Sequence, residues 1–131
     1  MESREFKVRL SRVRMSPRKL RLVADMIRDR DCSEALSVLE YTPKRGAHFL
    51  SKLLRSAMSN VGNYNDDHNE DHDVERMYIS ELRVDEGPTF KRWRAAAMGR
   101  AVPIRKRTSH VSMVIREREE VEQEVAEAAE E

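Results

Sequence analysis

The segment from Glu86 to His110, EGPTFKRWRAAAMGRAVPIRKRTSH, constrains the fold more than any other part of the chain. Between Gly87 and Arg107 it carries seven Lys or Arg and no acidic residue. Its few apolar residues follow neither the period of a core helix nor that of a strand. Because this segment has no regular face to bury in a protein core, we expect it to meet a partner that neutralises its charge.

Two segments rich in apolar and β-branched residues flank this connector. MYISELRV (77–84) and TSHVSMVIR (108–116) are typical of strands, and we predict that they pair antiparallel. The connection has about 23 residues, whereas ordinary hairpin loops have roughly 2 to 5. Its cations can neutralise phosphates, Phe90 and Trp93 can stack on unpaired bases, and the small residues Ala95–Ala97 leave a slim middle. The pattern favours a polyanion-binding finger, with a disordered basic loop as the alternative.

The first half of the chain predicts one strand and three helices. FKVRL alternates apolar and basic residues, which indicates a strand with one buried and one cationic face. Helices are predicted over residues 17–29, 31–41 and 43–61 from cap signals and from the spacing of apolar residues. Gly62 is predicted to end the third helix, and residues 63–75, NYNDDHNEDHDVE, to form a polar loop.

The net charge of +1 conceals a strong separation of charge along the chain. Six acidic residues fall in residues 63–75 and eight in residues 116–131. The remainder carries 23 basic and 10 acidic side chains. This local excess is the electrostatic signature of a protein that binds a polyanion, and ribosomal, histone-like and membrane-surface proteins all fit it.

Two predicted helix starts carry adjacent cations, Ser16-Pro17-Arg18-Lys19 and Thr42-Pro43-Lys44-Arg45. In each, the hydroxyl residue is predicted to be the N-cap and the proline the first helical residue. A helix N-terminus has partial positive charge, so each cation there is unfavourable by roughly 0.3 to 1 kcal/mol unless an anion binds. We therefore predict phosphate contacts at both starts, with simple solubilisation of the helix ends as the alternative.

Several other kinds of protein do not fit the sequence. The single cysteine, Cys32, excludes an internal disulfide, and there is no leader-like segment and no apolar run of about 18 residues. We therefore expect a cytoplasmic protein with no membrane partner. No phosphate-binding loop or nucleophile elbow is present, so we predict neither an enzyme nor a cofactor. His68 and His72 in DDHNEDHD indicate a solvated loop rather than a metal site.

Longer blocks of the sequence resemble one known family. VRMSPRKLRLVADMIRDR, EALSVLEYTPKRGA, SAMSN, VDEGPTFKRWR and MGRAVPIRKRTSH are similar, in this order, to family twenty-two of the large ribosomal subunit in its bacterial form. The resemblance implies an α+β fold of three helices packed on a three-stranded antiparallel sheet, with a long protruding β-hairpin. We predict a single domain over residues 1–116, with the extended hairpin at about 85–110. Residues 117–131 are predicted to form an acidic, mobile tail.

The resemblance also implies a function. The chain would be a structural constituent of the large ribosomal subunit in the cytoplasm that binds ribosomal RNA, assists assembly and lines the nascent-peptide exit tunnel with its hairpin. Its partners would be large-subunit ribosomal RNA, neighbouring ribosomal proteins and the nascent polypeptide, and it would be a monomer within the ribosome. The residues predicted to bind RNA are Lys7, Arg9, Arg12, Arg14, Ser16, Arg18, Lys19, Arg21, Lys44, Arg45, Lys52, Arg55, Lys91, Arg92, Trp93, Arg94, Arg100, Arg105, Lys106, Arg107 and His110. Those predicted to line the tunnel at the hairpin tip are Arg92, Trp93, Arg94, Ala95, Ala96, Ala97 and Met98.

Two other classes of protein stay open at this point. An architectural DNA-binding protein is the main alternative, because Ser-Pro-Arg-Lys and a basic finger also suit a minor groove. A regulator that binds metal through the DDHNEDHD loop is the third class. The tip also departs from the family at Ala95–Ala97, where members often have a proline and more basic residues.

Overall fold

The computed structural model describes residues 4–118, which form an α+β fold, as the sequence predicts. The elements in chain order are β1 (Glu5–Val13), α1 (Pro17–Ile27), α2 (Cys32–Tyr41), α3 (Arg45–His68), β2 (Met77–Glu86), β3 (Phe90–Ala95), β4 (Ala101–Lys106) and β5 (Ser109–Glu117). The strand order of the antiparallel three-stranded sheet is β1-β5-β2, and β3 and β4 form a second, two-stranded antiparallel sheet. The predicted pairing of the two strands that flank the connector is confirmed, and the connector itself folds into a hairpin.

The central strand of the larger sheet is β5, and its alternating apolar residues explain this position. Met113 lies opposite Val8 of β1 on one side and Leu82 of β2 on the other. Residues that alternate along a strand share a face, so the apolar positions of all three strands meet the helices together. A bulge interrupts β1 at Arg12, where φ is 56° and the pairing register shifts before Val13.

The helices cover the sheet with the apolar faces that their periodicity predicts. In α1, Leu20, Val23 and Ile27 are completely buried. In α3, Leu50 and Leu54 are equally buried and belong to the same hydrophobic cluster. Burial of each such side chain stabilises the fold by roughly 1.5 to 3 kcal/mol before the entropy of ordering the chain is subtracted. This core fixes where the helix starts lie.

The ends of two helices differ from the prediction. Helix α1 stops at Ile27 rather than residue 29, and Arg28 adopts an extended conformation from which its guanidinium donates to the Leu82 carbonyl at 3.0 and 3.2 Å. Thr42 does not cap α3; it ends α2, with its hydroxyl donating to the Val38 carbonyl at 2.6 Å. Helix α3 therefore begins two residues later than predicted, at Arg45.

The prediction that Gly62 ends α3 is also wrong. The helix continues to His68 and stops at Asn69, whose φ of 53° provides the left-handed conformation of a C-cap. A glycine inside a helix costs only about 0.5 to 1 kcal/mol relative to alanine. Val61 is buried in the core and Tyr64 packs edge-on against Phe6 at 5.4 Å, and these contacts outweigh that cost. Residues 63–68 of the predicted polar loop are thus helical.

The rest of the acidic segment is anchored to the domain around His72. The Asn65 amide donates to the His72 carbonyl at 2.8 Å, and the His72 N–H donates to Asn65 Oδ1 at 3.0 Å. The imidazole contacts the carboxylates of Glu70 at 2.7 Å and Glu117 at 3.0 Å. Burial alone would lower the pKa of His72, but the hydrogen bonds to Glu117 and Glu70 raise it above its usual value of 6.5. Part of the predicted loop is therefore a structural clasp between α3 and the end of β5.

The last described residues continue this anchoring. Glu117 is the final residue of β5, and the Arg118 side chain donates to Asp31 Oδ1 at 2.7 Å. The remainder of the predicted acidic tail, residues 119–131, lies outside the described residues. Within residues 4–118, no three His, Cys, Asp or Glu side chains are grouped so that they could hold a metal ion. None of the helices in the same part of the chain is long and apolar enough to cross a membrane.

Candidate nucleic-acid interface

A cleft of about 840 Å³ lies where the two basic helix starts meet the base of the hairpin. We call it the basic cleft; it is lined by Arg14, Met15, Ser16, Lys19, Arg45, Phe90, Arg92, Arg105, Lys106, Arg107 and Thr108. Seven of these residues are Lys or Arg, and among residues 4–118 no acidic side chain lines the cleft. Cations that are far apart in the sequence are thus brought together without protein anions to neutralise them.

The start of α1 supplies one wall of the basic cleft. Ser16 is the N-cap and Pro17 the first helical residue, as predicted, and the Ser16 carbonyl accepts the Leu20 N–H at 3.1 Å. Within the described chain the Ser16 hydroxyl makes no capping hydrogen bond. The first turn, PRKL, contains no acidic residue, so the positive end of the helix dipole and the Lys19 ammonium both attract an anion. This end of α1 is suited to an anion.

The start of α3 lies beside that of α1 because of Gly46. A Cβ at this position would lie 3.1 Å from Leu20 Cδ1 and 3.3 Å from Met15 Cε, so any larger residue would crowd the contact. Arg45, the first residue of α3, consequently reaches the same cleft as Lys19. Its guanidinium carbon also lies 5.7 Å from the centroid of the Phe49 ring, a favourable cation–π contact.

The base of the hairpin is held by a compact joint, which we define as Gly87, Pro88, Thr108, Ser109 and His110. The Gly87 N–H donates to the Thr108 carbonyl at 2.9 Å, and the Thr108 hydroxyl donates to the Pro88 carbonyl at 2.6 Å. Thr108 and Ser109 are buried, and the Ser109 hydroxyl donates to the Met15 carbonyl at 2.7 Å. The joint therefore ties the hairpin to the segment that precedes α1, which is the floor of the basic cleft.

The strand register divides the hairpin into two faces. Phe90, Arg92 and Arg94 share one face with their cross-strand partners Lys106, Ile104 and Val102. Lys91, Trp93 and Ala95 share the other face with Arg105, Pro103 and Ala101. All six residues of β3 are exposed, which agrees with a segment that contributes nothing to the core. At the turn, Met98 is 96% exposed and has a φ of 63°.

The predicted RNA-binding residues fall into three groups. Eight of them line the basic cleft: Arg14, Ser16, Lys19, Arg45, Arg92, Arg105, Lys106 and Arg107. Another group is exposed elsewhere on the domain or the hairpin: Lys7, Arg9, Arg12, Arg18, Lys44, Lys52, Arg55, Lys91, Trp93, Arg94 and Arg100. The last two residues make hydrogen bonds inside the protein. The Arg21 guanidinium donates to the Val84 carbonyl at 2.9 and 3.1 Å, and His110 Nδ1 accepts the Arg12 N–H at 3.1 Å.

Sequence reasoning missed the residues that shape the basic cleft without carrying charge. Met15 and Thr108 line it, and Gly46 and Gly87 allow its walls to approach. The only sequence signal for them is the position of each glycine next to a predicted helix start or strand end. Periodicity and charge carry no information about close approach between distant segments.

The fold and the basic cleft together define a small α+β protein with a surface suited to a polyanion. Comparison with known families narrows this class to one family. The chain belongs to the ribosomal protein L22p/L17e family, whose model matches residues 8–116. This family consists of ribosomal proteins rather than enzymes, in agreement with the sequence analysis.

Individual relatives support the same assignment. The chain is 50% identical over 107 residues to large ribosomal subunit protein uL22 of Lacticaseibacillus casei, which covers 82% of this chain and 87% of the relative. It is 50% identical over 108 residues to the protein of the same name from Halothermothrix orenii, covering 82% and 91%. For Rubrobacter xylanophilus the identity is 52% over 101 residues, covering 77% and 76%. The resemblance found in the sequence blocks is thereby confirmed.

Proposed function

We propose that this protein is a structural constituent of the large ribosomal subunit in the cytoplasm that binds ribosomal RNA and assists assembly of the subunit. The observation that carries the proposal is the basic cleft, in which seven cations from three separate segments converge. Like charges that line one cleft repel one another, and an RNA backbone that enters the cleft relieves the repulsion. Membership in a ribosomal protein family supports ribosomal RNA as the RNA that enters the cleft.

Phosphate contacts supply most of the affinity in this proposal, whereas the shape of the RNA determines the docking position. The basic cleft is the central contact. The exposed cations of β1 and α3, such as Lys7, Lys52 and Arg55, extend the surface over the domain. Arg21 and His110, which bond to the protein itself, act in our proposal by holding β2 and β1 in place beside the RNA.

The hairpin has the properties of a segment that follows RNA into a narrow space. Its strands are exposed and basic, and its turn contains Ala96, Ala97 and Gly99, which have little side-chain volume. We propose that this turn, with Met98 at its end, lines the nascent-peptide exit tunnel. Neighbouring ribosomal proteins and the nascent polypeptide are then further partners.

Sedimentation of a cell lysate through sucrose gradients at high salt tests the proposal. The full-length protein, expressed at its natural level, is expected to remain with the large subunit while weak electrostatic binders dissociate. A variant lacking residues 90–103 shows whether the domain alone is sufficient for association. If the full-length protein leaves the particle or sediments with chromosomal DNA, the proposed function is wrong.

A charge-matched pair of variants then tests the basic cleft itself. Lys19→Gln with Arg45→Gln removes two cations from the cleft, and we expect weaker retention at high salt. Arg30→Gln with Arg83→Gln removes two exposed cations that contact Glu34 and Glu81 instead. If both double variants dissociate at the same salt concentration, total charge rather than the cleft governs binding.

A further inference from the structure

We infer that the basic cleft accepts an unpaired RNA nucleotide, whose base stacks on Phe90 while the adjoining phosphates lie against the starts of α1 and α3. This inference rests on the proposed function and names the kind of RNA that the cleft takes. It follows from the size of the cleft, from the placement of one aromatic ring among the cations, and from the arrangement of donors on the opposite wall.

The size of the cleft suits a single nucleotide segment rather than a helix. Its volume of about 840 Å³ lies in the range of roughly 300 to 1,000 Å³ that encloses a small-molecule ligand. A paired RNA helix presents its phosphates on a convex surface with its bases turned inward, so it can cover the mouth of the cleft but cannot place a base inside. An unpaired nucleotide at a bulge or loop can turn its base outward and enter.

Phe90 is the aromatic ring that faces this space. It is 40% exposed, lies on the same hairpin face as Arg92 and is paired across the strands with Lys106. An exposed ring between cations is the composition of surfaces that bind single strands, in which bases stack on the ring and cations hold the backbone. Trp93 is 69% exposed but lies on the other face of the hairpin and does not line the cleft.

The opposite wall supplies the phosphate contacts. Lys19 and Arg45 lie at two helix N-termini that Gly46 brings together, and the Ser16 hydroxyl is available to donate to a phosphate oxygen. On the hairpin side, Arg92 and Lys106 share the face of Phe90 and also line the cleft. A nucleotide in the cleft thus has its base on β3 and its backbone on the helices. Stacking on a phenyl ring tolerates any base, so the position of the unpaired nucleotide matters more than its identity.

The test uses the full-length protein and RNA probes that differ in one base. The first probe is an RNA heptamer whose residues are all abasic except a central uridine, and the second is fully abasic. Binding is measured by fluorescence anisotropy at one ionic strength, and we expect the single base to strengthen binding by about 5- to 100-fold.

Two matched variants locate the stacking site. Phe90→Leu is expected to abolish the difference between the one-base and the fully abasic probes, whereas Trp93→Leu is expected to retain it. Both side chains are exposed on the hairpin, so neither substitution opens a cavity in the core.

Several outcomes overturn the inference. Equal binding of the one-base and abasic probes, or equal loss in the two variants, excludes a nucleotide stacked on Phe90, and both outcomes leave ribosomal RNA binding through phosphates intact. Failure of every RNA probe to bind, together with dissociation from the subunit in sucrose gradients, contradicts the proposed function as well.

Discussion

The substitution Gly87→Ala tests whether the joint at the base of the hairpin is as tightly packed as the structure indicates. A Cβ on residue 87 would lie 2.5 Å from Thr108 Oγ1 and 3.3 Å from two atoms of the His110 ring. The first distance is far shorter than any real contact of this kind, so an atom must move. The Thr108 hydroxyl has little freedom to do so, because Thr108 is 2% exposed and this hydroxyl donates to the Pro88 carbonyl.

The size of the effect follows from these contacts. Displacement of the Thr108 hydroxyl leaves a buried polar group without its partner, which costs about 1 to 3 kcal/mol, and the remaining overlap costs about 1 to 3 kcal/mol. Alanine also lowers the conformational entropy of the unfolded chain relative to glycine, and this stabilises the folded state by about 0.4 to 1 kcal/mol. The net destabilisation is about 1 to 5.5 kcal/mol, or a decrease in Tm of roughly 4 to 20 °C for a chain of this length.

Thermal unfolding followed by circular dichroism measures this decrease, and a double-mutant cycle identifies its cause. Thr108→Ala removes the overlapping hydroxyl, so Gly87→Ala should cost less than about 1 kcal/mol in that background. Gly62→Ala is the matched control: no heavy atom of the described residues lies within 4 Å of its added Cβ, and it should stabilise α3 by about 0.5 to 1 kcal/mol. The reasoning is refuted if Gly87→Ala is as harmless as Gly62→Ala, or if its cost is the same in both backgrounds.

Three further predictions concern charge and burial. A plot of the logarithm of the association constant for a single-stranded RNA against the logarithm of salt concentration should have a slope shallower by about 1.4 for Lys19→Gln with Arg45→Gln. The control pair Arg30→Gln with Arg83→Gln, which removes two cations outside the basic cleft, should leave the slope unchanged. The pKa of His72 is raised in the folded protein, so its stabilising effect is complete below pH 6.5 and is lost as the pH rises through the folded pKa. His72→Gln should therefore lower Tm more at about pH 6 than at about pH 9, and equal decreases would contradict this assignment. Burial raises the pKa of Cys32 to about 12, so a thiol reagent at neutral pH should modify the native protein at least about 100-fold more slowly than the unfolded chain; similar rates would show that the thiol is accessible.

Much of the fold could be predicted from the sequence because it depends on local periodicity. Leu20, Val23 and Ile27 are spaced as one helical face and are buried. Their spacing predicts this burial without knowledge of which element packs against the face. Ser16 and Pro17 likewise start α1 through preferences of the residues themselves. The errors at Thr42 and Gly62 have a common cause. In both cases a local signal competed with tertiary contacts that the sequence does not reveal, and those contacts decided where the helix ends.

The candidate site could be predicted only in part, because a count of cations does not reveal their partners. Arg18 and Arg21 both lie in the first two turns of α1, yet the Arg21 guanidinium bonds to the Val84 carbonyl of β2. His110, predicted to contact RNA, accepts a hydrogen bond from the bulge in β1. These partnerships depend on the register of strands about 60 to 100 residues away in the sequence. Charge patterning therefore predicts a basic surface, while the three-dimensional contacts determine which of its cations remain available to a partner.

In the proposed function, the basic cleft links RNA binding to the stability of the folded chain. Its cations come from the segment before α1, from the starts of α1 and α3, and from both sides of the hairpin, so the complete set exists only when these segments are packed together. An anion that requires the whole set binds the folded state and not the unfolded chain, and at about 100 times its Kd it adds roughly 2.7 kcal/mol of stability. Without the anion, repulsion among the seven cations opposes the same packing. The joint around Thr108 and the close contact at Gly46 are thus needed for two reasons. They hold the cations together in the free protein, and in the proposed function they make the folded arrangement the one that binds RNA.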